Sequence, residues 1–361
     1  MKHIIFLSVT FFAFVNAFSQ QLKLDFDLSN AEQTISYMRS SPDRNKIDQL
    51  LKLPATKGLL RKIKMDSATA VKALLSVHDT ALYTNDYQKF QYGFIKKWLT
   101  SQTAFIKLIK DKQDSIKKEV ITALVKYIPP GKDLRITVCF LLGGNSSGFT
   151  LGDDSVFYIG THQYRNDITG IIESCKHELF HNIQSLYRQH YAITDSLDKN
   201  NNPGLAYVHF MLVNLFLEGS AEYVADLRKV NNPDALFIKN LREHAEVNDS
   251  RSQQVFYLVS KLLVEVNDHP DKADQDHLYN ILFDWNWNNP GYYTGYIMTR
   301  ALCNAYGENA LLKYLGADPS QFIYDYIQLT RQQKDKYPLR FTEDFEKVIE
   351  SMVEKIKGYT H

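Results

Sequence analysis

The chain has 361 residues, and its 42 Lys and Arg against 41 Asp and Glu leave a net charge of +1. This balance provides no global field to attract nucleic acid or an anionic membrane, so we expect no nucleic-acid partner. Hydrophobic residues at 44% and charged residues at 23% are close to globular averages, and they exclude a disordered or collagen-like chain.

Residues 1–19 are predicted to form an export signal. The apolar run 4–15 has the length of a signal-peptide core and is short for a membrane span. Small residues at Ala17 and Ser19 indicate cleavage before Gln20, with cleavage after Ala17 as the alternative. We therefore expect a protein exported to the periplasm or the extracellular space. An uncleaved N-terminal anchor is the other possibility.

The number of cysteines argues against a fold that is built on disulfides. The chain has three of them, Cys139, Cys175 and Cys303, which is an odd and sparse set for an exported protein. Three cysteines allow one disulfide at most, so we expect no disulfide framework. The fold must then be held by its apolar core.

An N-terminal region, residues 20–130, is predicted to be helical. Ser29 and Glu32 form a capping-box pattern, and apolar residues recur behind them at the spacing of a buried helix face. The sequence Pro129-Pro130-Gly131 ends this region, because proline removes a helical donor and glycine permits a turn.

The next segment contains the convincing strand signals. Residues 134–142 and 155–160 are rich in β-branched and aromatic side chains, and both predict strands. The glycine-rich loop 143–148 lacks the Lys-Ser/Thr of a phosphate-binding loop and is not followed at once by a helix. We expect it to form a hairpin or an edge connection.

A helical pattern around residues 171–186 contains His177-Glu178-Leu179-Phe180-His181. Residues i and i+4 differ by about 40° around a helix, so both imidazoles can reach one Zn²⁺ while Glu178 points to its open side. The pattern therefore predicts His177 and His181 as metal ligands and Glu178 as a general base. Two ordinary surface histidines are the alternative.

A third ligand is predicted on the following apolar helix, which runs from about Val208 to Leu227. Glu218, Glu222 and Asp226 share one face of it directly after four bulky apolar residues. Carboxylates that enter the interior are costly without a cation, so we expect Glu218 to bind the zinc. Glu222 is expected to accept a hydrogen bond from the far nitrogen of one ligand histidine. A plain acidic stripe on a solvated helix is the alternative.

Beyond residue 161 the chain is predicted to be helical to its end, and no segment after the leader reaches the ~18 apolar residues of a membrane span. The fold class is therefore α+β and predominantly helical, and we expect a monomer. We assign residues 131–230 to a metal-binding core and 231–361 to a C-terminal helical region that completes the cleft.

The residues His177–His181 and Leu217–Tyr223 resemble the gluzincin branch of the zincin metallopeptidases. In its exported helical layout the chain is also similar to uncharacterised families of zinc-dependent peptidases. The resemblance implies a zincin-like fold, in which a small sheet packs on the active-site helix and its edge pairs with extended substrate. The spacing from His181 to Glu218 is longer than in zinc aminopeptidases, and their Gly-x-Met-Glu-Asn segment is lacking.

These signals predict a metallopeptidase that cleaves a peptide or protein substrate with a zinc-activated water. An oxyanion donor is also required, and we expect it from Tyr293 or Tyr296, with Arg300 as a partner for a substrate carboxylate or as a structural residue. Aromatic packing is the alternative for this segment. Two other functions stay open: an inactive zinc-stabilised peptide-binding module, and a zinc hydrolase of non-peptide amides or esters.

Overall fold

A computed structural model of the chain describes residues 21–152, 155–187, 190–231 and 236–359. The predicted signal segment, residues 1–19, and its cleavage site lie outside the described residues.

One mixed sheet of four strands is present in the described chain, in the order β1-β2-β4-β3. The strands are β1 (Gln21–Asp27), β2 (Asp133–Leu141), β3 (Gly148–Phe149) and β4 (Val156–Gly160). β1 and β4 both pair with β2 in parallel, while the edge strand β3 is antiparallel to β4. The two predicted strands are therefore found as β2 and β4, and the glycine-rich loop leads into an edge strand. β1 was not predicted, and its pairing with β2 ties the start of the N-terminal region to the sheet.

Helices make up most of the described chain, so the predicted α+β, predominantly helical class is confirmed. Their bounds are α1 (Ser29–Arg39), α2 (Arg44–Lys52), α3 (Pro54–Ile63), α4 (Ser67–Ser76), α5 (Tyr92–Lys97), α6 (Leu99–Leu124), α7 (Ile168–Ser185), α8 (His190–Lys199), α9 (Pro203–Val224), α10 (Leu236–Ser250), α11 (Ser252–Asp268), α12 (Gln275–Phe283), α13 (Pro290–Tyr306), α14 (Ala310–Leu315), α15 (Pro319–Gln332) and α16 (Glu343–Tyr359). The capping box predicted at the start of α1 is wrong. Leu28 holds the cap position, and the Ser29 backbone N–H donates to Asp27 instead.

Helix α9 lies at the centre of the helical part and contacts α7, α8, α11, α13 and α15. The segment Pro203–Lys229 that contains it is long and apolar enough to cross a membrane by length and composition, but 78% of its most apolar window is buried in the protein. An apolar surface on nearly every side fits a helix that is surrounded by other helices. Helix α7 lies between α9 and the sheet, where it contacts β2, β3 and β4.

The three cysteines are all free and buried. Cys175 on α7 is fully buried among apolar side chains. The expectation of a fold without a disulfide framework is therefore confirmed.

Helices α9 and α13 cross where two glycines meet. A Cβ atom on Gly219 would lie 2.2 Å from the Gly295 Cα, and one on Gly295 would lie 1.9 Å from the Leu215 carbonyl oxygen. Only residues without a side chain permit this approach, because the nearest atoms belong to the backbone and cannot rotate away. The crossing fixes the distance between α9 and α13 at the level of Glu218.

We expect Gly295→Ala to lower the free energy of unfolding by about 1 to 3 kcal/mol, the usual cost of forcing a methyl group into a packed site. Chemical denaturation of both proteins measures this loss. Gly93→Ala is the matched control, because a Cβ atom on the exposed Gly93 meets nothing within 4 Å. Equal stability of the two variants would contradict the tight crossing.

Candidate metal centre

Helix α7 presents the first two candidate ligands. The carboxylate of Asp167 accepts from the Gly170 backbone N–H at 2.9 Å and caps the helix start. His177 and His181 then lie one turn apart, with their ring centroids 4.8 Å apart and their planes at 82°. The two rings therefore bring one nitrogen each to the same point beside α9.

Glu218 of α9 completes a compact triangle of donor atoms. The Nε2 atoms of His177 and His181 lie 3.1 Å apart, and the Glu218 Oε2 lies 3.4 and 3.3 Å from them. Tetrahedral ligands at the usual zinc distance of about 2.1 Å have edges of about 3.4 Å. The three edges fit such an ion. The part of the chain that the structure describes contains one cluster of potential metal ligands, and it consists of these three residues.

The burial and ionisation of the Glu218 carboxylate also suit a bound cation. Its Oε2 is buried, and no described group donates a hydrogen bond of good geometry to it. Burial alone would raise the pKa of Glu218, but the neighbouring His181 and His177 outweigh it and hold the pKa well below its usual range. Burial likewise would lower the pKa of His181, yet the Glu218 carboxylate raises it to about 9. Without an ion, the proton on His181 balances the buried Glu218 carboxylate, and a bound divalent ion would take the place of that proton.

Residues around the triangle orient the two imidazoles. The Gln184 Oε1 accepts from the His181 Nδ1 at 2.7 Å, which leaves the lone pair on the Nε2 that faces the triangle. The Gln184 amide nitrogen in turn donates to the Leu217 carbonyl and the Ser220 hydroxyl, both at 2.9 Å. Gln184 therefore links α7 to α9 on either side of Glu218. The sequence analysis missed it, although its position three residues after His181 was a usable signal.

Glu222 lies beside the other histidine, but the hydrogen bond that the sequence predicted between them is not present. Its Oε1 is 3.6 Å from the His177 Nδ1, an ion-pair distance that is too long for a direct hydrogen bond. Asp226 does not continue this helical row. Helix α9 ends at Val224, and Asp226 instead caps the following turn by accepting from the Arg228 backbone N–H.

Glu178 points from α7 towards the edge of the sheet. A Cβ atom on Gly148 of β3 would lie 2.6 Å from the Glu178 Oε1, so only glycine leaves room for this carboxylate. Burial raises the pKa of Glu178. Glu178, His177 and Gly148 line one cleft together with Tyr292. The carboxylate thus faces the space beside the ligand triangle.

The tyrosine next to the metal centre is Tyr292, which the sequence analysis did not select. Its ring stacks on His177 with centroids 6.3 Å apart and planes at 13°. The predicted donors, Tyr293 and Tyr296, do not line the cleft that contains His177 and Glu178. Tyr296 donates to Asp226 at 3.0 Å, and Arg300 faces a separate cavity. Tyr292 and Tyr293 face different directions because successive residues are about 100° apart around a helix.

Comparison with known proteins gives one match. A family model described as "Putative zinc dependent peptidase (DUF5700)" matches residues 47–335. The match covers both histidines and Glu218. No curated protein and no solved structure matches the chain.

We expect Gln184→Leu to weaken zinc binding by roughly 10- to 100-fold, the usual effect of removing a residue that orients a ligand histidine. Competition with a chelator of known affinity measures this change. Gln254→Leu, at an exposed position of α11, controls for the loss of an amide. Unchanged affinity in Gln184→Leu would show that the His181 ring needs no such support.

Proposed function

The chain belongs to the DUF5700 family, described as putative zinc dependent peptidases, and from this premise we propose that it hydrolyses peptide bonds with zinc held by His177, His181 and Glu218. The observation that carries the proposal is the triangle of two imidazole nitrogens and one buried carboxylate oxygen, with edges of 3.1 to 3.4 Å. Three protein ligands are the number that catalytic zinc sites use, whereas structural zinc sites use four.

When bound, zinc would supply Lewis acidity, which lowers the pKa of a coordinating water and polarises a carbonyl group. Glu178 faces the same cleft as His177 and is placed to take the proton of the attacking water. The same carboxylate can then return that proton to the leaving amine. One side chain thus acts as the general base in the first step and as the general acid in the second.

The two sides of the cleft suggest further roles. β3 is an edge strand, and its free side offers backbone groups to an extended peptide, as the gluzincin resemblance implies. The Tyr292 ring lies on the other side, against His177. We propose Tyr292 as the donor that stabilises negative charge on the substrate oxygen, in place of Tyr293 or Tyr296.

A purely zinc-stabilised binding module would not need Glu178 in this position. A structural site gains nothing from a buried carboxylate that faces the open cleft, since its burial costs free energy. The space that Gly148 leaves for Glu178 therefore supports a hydrolase. Export to the periplasm or the extracellular space is also proposed, on the basis of the apolar run 4–15 in the sequence.

We expect the wild type to bind about one zinc ion per chain, and Glu178→Gln to keep the metal while peptide cleavage falls by roughly 100- to 10,000-fold. Metal analysis and mass spectrometry of a digested denatured protein pool measure the two properties. Glu119→Gln, at an exposed position, is the control for removing a carboxylate. Equal cleavage by wild type and Glu178→Gln would refute the role of Glu178. Zinc binding without cleavage by either would favour the binding module.

Tyr292→Phe is expected to lower kcat by roughly 100-fold or more, the usual effect of losing one oxyanion donor, with little change in zinc content. Steady-state kinetics on a peptide cleaved by the wild type measures this. Tyr306→Phe removes a hydroxyl from the exposed end of the same helix and should leave kcat unchanged. A Tyr292→Phe enzyme with wild-type kcat would exclude the hydroxyl from catalysis.

A further inference from the structure

A second cavity adjoins the metal cleft on the side of α13. Glu222, Asn289 and Tyr292 line both spaces, so a ligand in the cavity would extend directly from the cleft. The cavity itself is lined by Arg228 and Tyr293, which the mechanism above does not use.

Three polar atoms on residues that line this cavity are buried and lack a hydrogen-bond partner within the described chain. They are the Arg228 Nη2, the Tyr293 hydroxyl and the Asn289 Oδ1. The Tyr293 side chain is only 5% exposed. Leaving a buried polar atom without a hydrogen-bond partner costs free energy, and three such atoms on residues around one cavity indicate a ligand that satisfies them.

The guanidinium group of Arg228 is held in place from several sides. It stacks on the Tyr296 ring at 4.2 Å and on the Tyr293 ring at 5.4 Å. The Asp226 Oδ1 lies 3.8 Å from the Nη1 atom and fixes the opposite corner. These contacts hold Arg228, and its Nη2 has no acceptor among the residues that the structure describes.

The backbone at the start of α13 adds to the positive character of the cavity. Asn288 and Asn289 both adopt the left-handed conformation, with φ of 59° and 47°. Asn289 is the N-cap residue, yet its side chain makes no capping hydrogen bond. The Asn289 side chain therefore does not interact with the partial positive charge at the N-terminus of α13.

No acid among the residues that the structure describes satisfies these donors. Asp226 accepts from the Tyr296 hydroxyl and from the Arg228 backbone, and it reaches only the Nη1 side of the guanidinium. Glu222 lies towards His177, 3.6 Å from its Nδ1. Arg228 can donate from its guanidinium and Tyr293 from its hydroxyl, and two such donors suit a carboxylate. The Asn289 side-chain oxygen can accept from an amide N–H next to that carboxylate.

We propose that this cavity binds a carboxylate of the substrate through Arg228 and Tyr293, while Asn289 accepts from a neighbouring peptide N–H. The peptidase would then prefer substrates that carry a carboxylate close to the scissile bond. This carboxylate is either the C-terminus of the peptide or the side chain of Asp or Glu. The inference rests on the proposed function, since it concerns the substrate of the same cleft.

The test uses the zinc-loaded full chain and a proteome-derived peptide library in two forms, one with free and one with amidated carboxyl groups. We expect cleavage of the free form and at least a roughly 10-fold loss on amidation, since hydrogen bonds to a charged group are removed. Mass spectrometry separates the two sources. A terminal carboxylate gives cleavage at a constant distance from the C-terminus, whereas an acidic side chain gives Asp or Glu at one position of internal sites.

Arg228→Gln and Tyr293→Phe should each lower kcat/KM for free carboxyl substrates by roughly 10- to 100-fold, with little effect on amidated peptides. Tyr293→Phe preserves the ring, so it tests the inference even if Arg228→Gln folds poorly. Arg300→Gln and Tyr337→Phe are the controls. Arg300 also stacks on Tyr296, at 5.1 Å, and the Tyr337 hydroxyl is also buried without a partner in the described part of the chain. Both residues line the other cavity, the separate one that Arg300 faces.

A binding measurement separates this inference from catalysis. Immobilised zinc-loaded Glu178→Gln protein should retain free over amidated library peptides, and adding Tyr293→Phe should abolish that preference. Cleavage without any carboxylate preference would overturn the inference and leave the proposed function standing. No cleavage above Glu178→Gln, with the retention preference intact, would refute the proposed function and support the carboxylate site. Equal retention of both library forms would overturn the carboxylate site in either case.

Discussion

The structure depends on one buried carboxylate that is held beside two imidazoles. Placing Glu218 inside the protein costs several kcal/mol unless a cation balances its charge. The balance requires α7 and α9 to stand at a fixed separation, because a shift of an ångström would break the 3.1 to 3.4 Å triangle. Gln184 fixes that separation by its hydrogen bonds across the two helices.

The three candidate metal ligands were predictable because their signal is local. Two histidines at i and i+4 must share a face of any helix that contains them, and Glu218 follows an apolar run that marks a buried helix. The structure brings together the donor atoms of all three predicted residues. The fold class was predictable for the same reason, since helical periodicity covers most of the chain.

The features that the sequence did not predict depend on contacts between distant segments. β1 was missed because a seven-residue strand at the edge of a helical region gains its stability from parallel pairing with β2, more than a hundred residues away. Tyr292 was missed because the sequence does not show which tyrosine of α13 faces the candidate ligands. That depends on the rotation of α13 about its axis. That rotation is set by the contact of Gly295 with Gly219 and Leu215, which no local pattern reports.

Two glycine contacts together define the cleft. On the sheet side, the absence of a side chain at Gly148 lets Glu178 reach the edge strand. On the opposite side, Gly219 and Gly295 bring α13 against α9, and Tyr292 lies one turn before Gly295 on the same helix. On the α13 side the contact is between backbone atoms, which change position less than side-chain rotamers do. A reaction that needs a base on one side and a hydroxyl donor on the other gains from such fixed walls, because no binding energy is spent on bringing the two groups into position.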